Sequence, residues 1–95
     1  MKTPTDCNSL ADVRSAIDRV DEQMMALLGL RADYVRNAAR FKASEAEVAA
    51  PDRLASMIET RRKWAEREKL DPDFVERLYR DLVAHFIELE KRHLR

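Results

Sequence analysis

The sequence predicts an all-α fold. Three observations lead there: 38% of the residues are charged and 45% apolar, one Gly and three Pro supply few turns, and apolar residues recur at helical spacing along most of the chain. At 95 residues and 11.1 kDa a second core is excluded, so one domain over residues 1–95 is expected.

The first helix is expected over about 9–41. Ser9-Leu10-Ala11-Asp12 reads as a capping box, with a hydroxyl to accept an unpaired backbone N–H and an acid near the positive helix end. From there Leu10, Ile17, Met24, Arg31 and Ala38 recur every seven residues, interleaved with Val13, Val20, Leu27, Tyr34 and Phe41. Gly29 costs about 1 kcal/mol against Ala but leaves the period intact. Residues 42–50 carry no clear period and read as a loop, ended by Pro51 at the first turn of a second helix over 51–69. Its face is Leu54, Met57, Ile58, Arg61, Trp64 and Ala65, with Trp64 and Met57 expected in the core. Leu70-Asp71-Pro72-Asp73 supplies a stop, a cap and a Pro at N1 for a third helix over 72–93. That helix carries a broad apolar stripe from Phe74 to Leu94, and Lys91, Arg92 and Arg95 suit its negative end.

Helix length bears on assembly. Some 33 residues at 1.5 Å each span ~50 Å, whereas a compact monomer of this size is roughly 32 Å across. A seam that long needs a partner, and the same helix of a second copy in a two-fold dimer satisfies it. An intertwined homodimer is expected.

Charge narrows the partners. Eighteen Lys plus Arg offset eighteen Asp plus Glu, so no overall field favours nucleic acid or an anionic membrane. Arg61, Arg62, Lys63 and Arg67 alternate with Glu59, Glu66 and Glu68, as on a solvated face. No apolar run approaches the ~20 residues of a membrane span, and a lone Cys7 without a visible leader points to the reducing cytoplasm.

Several charges stand where apolar residues belong. Arg31 occupies a heptad position, and Arg14 and Lys42 flank the same seam about 28 residues, or ~42 Å, apart. Antiparallel pairing of two copies would bring Arg14 of one towards Arg31 and Lys42 of the other. Glu90 lies on the inward row Tyr79, Val83, Phe86 of the third helix, and Arg53 adds a cation beside the 42–50 segment. The composite is a desolvated pocket of cations and one carboxyl. A structural reading stands beside each residue: Arg31 as a register-setting residue, Lys42 as a dipole partner, Glu90 as a mate for Arg31. No metal or cofactor site is expected: Glu90-x-x-His93 lacks the further ligands a di-metal site needs, and no phosphate loop or activated nucleophile is present.

These residues resemble the all-helical chorismate mutases, and within them the isochorismate pyruvate lyases of salicylate siderophore synthesis. The resemblance covers nearly the whole chain. It rests on the opening Met-Lys-Thr-Pro with Asp6-Cys7, on Leu10-Ala11-Asp12-Val13-Arg14 with Ala16-Ile17-Asp18, and on Arg31 to Val35. Arg40-Phe41-Lys42-Ala43-Ser44-Glu45-Ala46 and Ala50-Pro51 with Arg53 complete it.

The resemblance implies the three-helix type II fold as an intertwined dimer, with Arg14 entering each site from the opposite copy. It also implies a cofactor-independent pericyclic reaction: isochorismate to salicylate and pyruvate, or chorismate to prephenate. Arg14 and Arg31 would clamp the substrate carboxylates, Lys42 would donate to the ether oxygen, and Arg53 would support a carboxylate or the closing segment. Two departures matter. Mutases of this type place acids where this chain has Ala50 and Leu54, which favours the lyase. The lyase pattern has Gln where this chain has Glu90, and a carboxyl donates a hydrogen bond only when protonated, so better activity at acid pH is expected. The competing readings are primarily a chorismate mutase, or a catalytically silent helical dimerisation module.

Overall fold

Ser9 opens the first long helix as its side chain predicts. The Asp12 amide donates to Ser9 Oγ at 3.1 Å, and the Asp12 carboxylate accepts from the Asn8 amide at 3.0 Å. In a computed structural model that describes residues 3–94, helix α1 then runs over Leu10–Ala38 and tightens into a 3₁₀ turn at Ala39–Phe41. Met1, Lys2 and Arg95, which belong to the opening motif and the basic helix end, lie outside the described residues. The chain divides into two units, up to Asp33 and from Tyr34 onward, and α1 runs through the division.

In the first unit a short 3₁₀ turn at Pro4–Asp6, closed by the Asp6 amide on the Thr3 carbonyl, precedes α1. No residue of α1 is buried. Its seam lies open within one chain: Leu10 is 61% exposed, Ile17 52% and Leu27 65%. At 1.5 Å per residue the 29 residues of α1 span about 43 Å.

The second unit holds α2 (Glu45–Ala49), α3 (Pro51–Arg67) and α4 (Pro72–Lys91). Segment 42–50, expected as a loop, therefore contains a short helix. Ser44 caps it, accepting the Glu47 amide, and Val48 is buried as α2 packs against α4. A helix of one turn and a half cannot hold itself in water, so its cap and its one buried side chain supply what length does not. Helix α3 ends in a Schellman motif, with the Leu70 amide on the Ala65 carbonyl and Lys69 in the left-handed region at φ 61°. Asp71 then caps α4, accepting the Asp73 amide at 2.9 Å, with Pro72 in its first turn.

Helices α3 and α4 pack across this short turn. Their shared core is Met57, Ile58, Ala65, Val75, Val83 and Phe86, all buried together with Ala39 and Val48 of the preceding segments. Trp64, expected beside Met57 in the core, is 42% exposed. It lies one position off the buried face and stacks under the Arg61 guanidinium, 4.5 Å from the ring centre. Arg62, expected on a solvated face, ties the two helices by donating to Asp73 at 2.9 Å and Glu76 at 3.0 Å.

Glu76 also accepts from Arg80 at 2.9 Å, and that bond, with the one from Arg62, holds its carboxyl below the usual range against the opposing effect of burial. A carboxyl lowered in the folded state stabilises above the ordinary carboxyl range, and the gain is lost as pH falls through the lowered value. Glu76→Gln is therefore expected to melt below the parent at pH 7, with the difference closing below about pH 4. Thermal melts across pH check this; a deficit equal at every pH would contradict the charge account.

Candidate active site

Lys42 follows the 3₁₀ turn that ends α1. Its backbone is extended, φ −121° and ψ 138°, and its amide donates to the Ala39 carbonyl. That turn aims the side chain at the last turn of α4, where the ammonium donates to both oxygens of Glu90, at 2.9 and 3.1 Å. Glu90 is 4% exposed, a buried charge in a core that is otherwise apolar among the described residues. The inward row predicted for it on α4 is thus observed, but its mate is Lys42. Burying a carboxylate costs several kcal/mol unless a cation and hydrogen bonds satisfy it. Lys42 does so while its own side chain stays 29% exposed.

The other expected site residues are placed as follows. Arg53 stands on the exposed first turn of α3, in the same unit as Lys42 and Glu90. Arg14 is exposed and Arg31 half-buried, both on α1 in the first unit. Of the five, the structure brings Lys42 and Glu90 into contact. Chemically, an ammonium gripped by a buried carboxylate is a fixed hydrogen-bond donor and positive charge, suited to stabilising negative charge that develops on a bound oxygen.

Residues 13–91, an interval containing all five, match the family model described as chorismate mutase type II. The chain belongs to the type II chorismate mutase family. Over 87 residues, 92% of this chain and 86% of the relative, it is 52% identical to the isochorismate pyruvate lyase of Pseudomonas aeruginosa.

Two further residues, not singled out from the sequence, brace the segment that follows Lys42. Ser44 Oγ accepts the Glu47 amide at 3.3 Å, and Glu47 Oε2 accepts the Ala43 amide at 3.1 Å. The signal was present: Ser44-Glu45-Ala46-Glu47 has the same cap spacing as Ser9-Leu10-Ala11-Asp12. Among the described residues no group of His, Cys, Asp and Glu is placed to hold a metal ion. His93 Nδ1 instead lies 3.0 Å from the Leu89 carbonyl of its own helix.

A single residue joins the Lys42 segment to α3. Ala50 ends α2, its amide on the Ala46 carbonyl, and begins α3, its carbonyl accepting the Leu54 amide. It does so at φ 37°, ψ 65°, a left-handed conformation that costs an L-residue with a Cβ about 1–2 kcal/mol. Ala50→Gly removes that cost while adding about 0.5–1 kcal/mol of chain entropy to lose, so a net gain of up to about 1.5 kcal/mol is expected. Denaturant unfolding checks it, and a clear loss of stability would show that the joint is unstrained.

Proposed function

We propose that this chain is a cofactor-independent enzyme that converts isochorismate to salicylate and pyruvate, with secondary conversion of chorismate to prephenate, working as a cytoplasmic homodimer. The observation that carries the reading is the Lys42 ammonium fixed on buried Glu90, in a chain 52% identical to an isochorismate pyruvate lyase. In the lyase reaction a ring hydrogen passes to the enolpyruvyl methylene as the ether C–O bond breaks. Hydrogen and electron pairs shift within one molecule, so no nucleophile, redox partner or external base is consumed. What is left for the protein is to fold a flexible dicarboxylate into its reactive shape and offset charge growing on the ether oxygen.

Each residue takes a role from its charge. Lys42 donates to the ether oxygen, Arg14 and Arg31 clamp the two carboxylates through paired N–H bonds, and Arg53 supports a carboxylate or the closing 42–50 segment. Glu90 is the buried carboxylate that fixes the Lys42 ammonium in place. Arg31, Lys42, Arg53 and Glu90 come from one copy and Arg14 from the other. The dimer is supported by α1, whose apolar seam has no buried residue in one chain and whose length exceeds a monomer of this mass. A mainly mutase role is the second reading, favoured by the family model itself. Against it stand Ala50 and Leu54, which leave no carboxylate at the positions where the mutases hold the ring hydroxyl.

Incubation with each substrate, read by salicylate fluorescence and by prephenate formation, tests the proposal; absence of both products would overturn it. Lys42→Ala is expected to lower kcat/KM by about 10²–10³, the scale of losing one transition-state donor. It should also lower the melting temperature, because Glu90 is left buried without its cation. Adding Glu90→Gln should restore melting but not rate; a rate within a few fold of the parent in Lys42→Ala would end the assignment.

A further inference from the structure

Lys42 can act on a substrate only if its backbone is held, and the chain just beyond it is held by one exposed carboxylate. The Ala43 amide, the first donor after Lys42, goes to Glu47 Oε2 at 3.1 Å, and the Glu47 amide returns to Ser44 Oγ at 3.3 Å. The Val48 amide closes the first turn on the Ser44 carbonyl, and the Val48 side chain, 4% exposed, seats α2 against α4. Helix α2 has five residues, far below the length at which helix is self-supporting, so its existence depends on the cap and this one anchor. Glu47 thus links two fixed points: the Lys42 ammonium on Glu90, and Val48 in the core. Without it the backbone between those points loses the bond that sets its direction directly after residue 42.

We propose that Glu47 is a positioning residue for Lys42, acting through the Ala43 amide to keep the ammonium where the reaction needs it. This rests on the role given to Lys42 above. Glu47 touches no reacting atom in this account. Its contribution is preorganisation, which lowers the barrier only while the Lys42 side chain is there to be aimed. An amide oxygen accepts a backbone N–H as a carboxylate does, so Gln at this position should serve nearly as well.

The test is a cycle of four proteins, the parent, Glu47→Ala, Lys42→Ala and the double variant, with Glu47→Gln beside them. Steady-state rates with isochorismate and hydrogen exchange of the Ala43 amide are read for each. Glu47→Ala is expected to speed Ala43 exchange and lower kcat about tenfold with KM little changed. It should cause no further fall in the Lys42→Ala background, and Glu47→Gln should keep kcat within about twofold of the parent. An unchanged kcat in Glu47→Ala, or an equal fall in both backgrounds, would overturn the positioning role while leaving Lys42 as assigned. A purely structural Glu47 would lower melting with kcat intact well below the transition, which also overturns it. An ineffective Lys42→Ala would instead sink the reading of Lys42, and this proposal with it.

Discussion

A carboxylate buried to 4% exposure is the constraint around which the second unit is arranged. Glu90 sits on the same face of α4 as Val83 and Phe86, and nothing apolar can compensate its charge. A cation must therefore reach the last turn of α4, and the cation that does is Lys42, 48 residues earlier. From that demand follow the tightened 3₁₀ exit from α1, the extended backbone at residue 42 and the capped helix α2 that seats Val48. The segment between α1 and α3 is the strap that carries Lys42 to Glu90. A buried ion pair of this kind adds little net stability compared with packed apolar side chains, which fits a pair kept for chemistry.

The first unit poses the complementary problem. Helix α1 exposes Leu10, Val13, Ile17, Val20, Met24 and Leu27 in one chain, a continuous apolar strip on a helix of 29 residues. Strips of this extent mark surfaces that associate. The proposed dimer covers the strip and delivers Arg14 to the Lys42 site in the same step, so assembly and catalysis would rest on one interface. Arg31 interrupts the heptad at a cost in packing, and the proposed dicarboxylate substrate would supply a reason for it.

Much of this was legible because it depends on short-range rules. The Ser9 and Asp71 caps, Pro72 at the start of α4 and the seven-residue seam are all local, and the helices begin where those signals put them. The inward face of Glu90 followed from its helical row. What sequence did not reveal is what depends on contacts across distance. The sequence offers Arg31 as the mate of Glu90, and only the folded second unit brings Lys42 to it. Helix α2 is invisible to periodicity because five residues show no period; its identity lies in the Ser44 cap and the burial of Val48. The size and hydrophobicity of Trp64 point to the core, whereas a guanidinium stacked on its ring lets it remain at the surface.

The most direct measurement of the central idea, a site assembled from two copies, is complementation between two disabled proteins. Arg14→Ala and Lys42→Ala are each unfolded to monomers, mixed in equal amounts, refolded and assayed with isochorismate. With Arg14 and Lys42 from different copies, half the dimers are mixed and one site in each is whole, so about a quarter of the parent activity returns. A mixture no more active than the two variants alone would contradict a shared site.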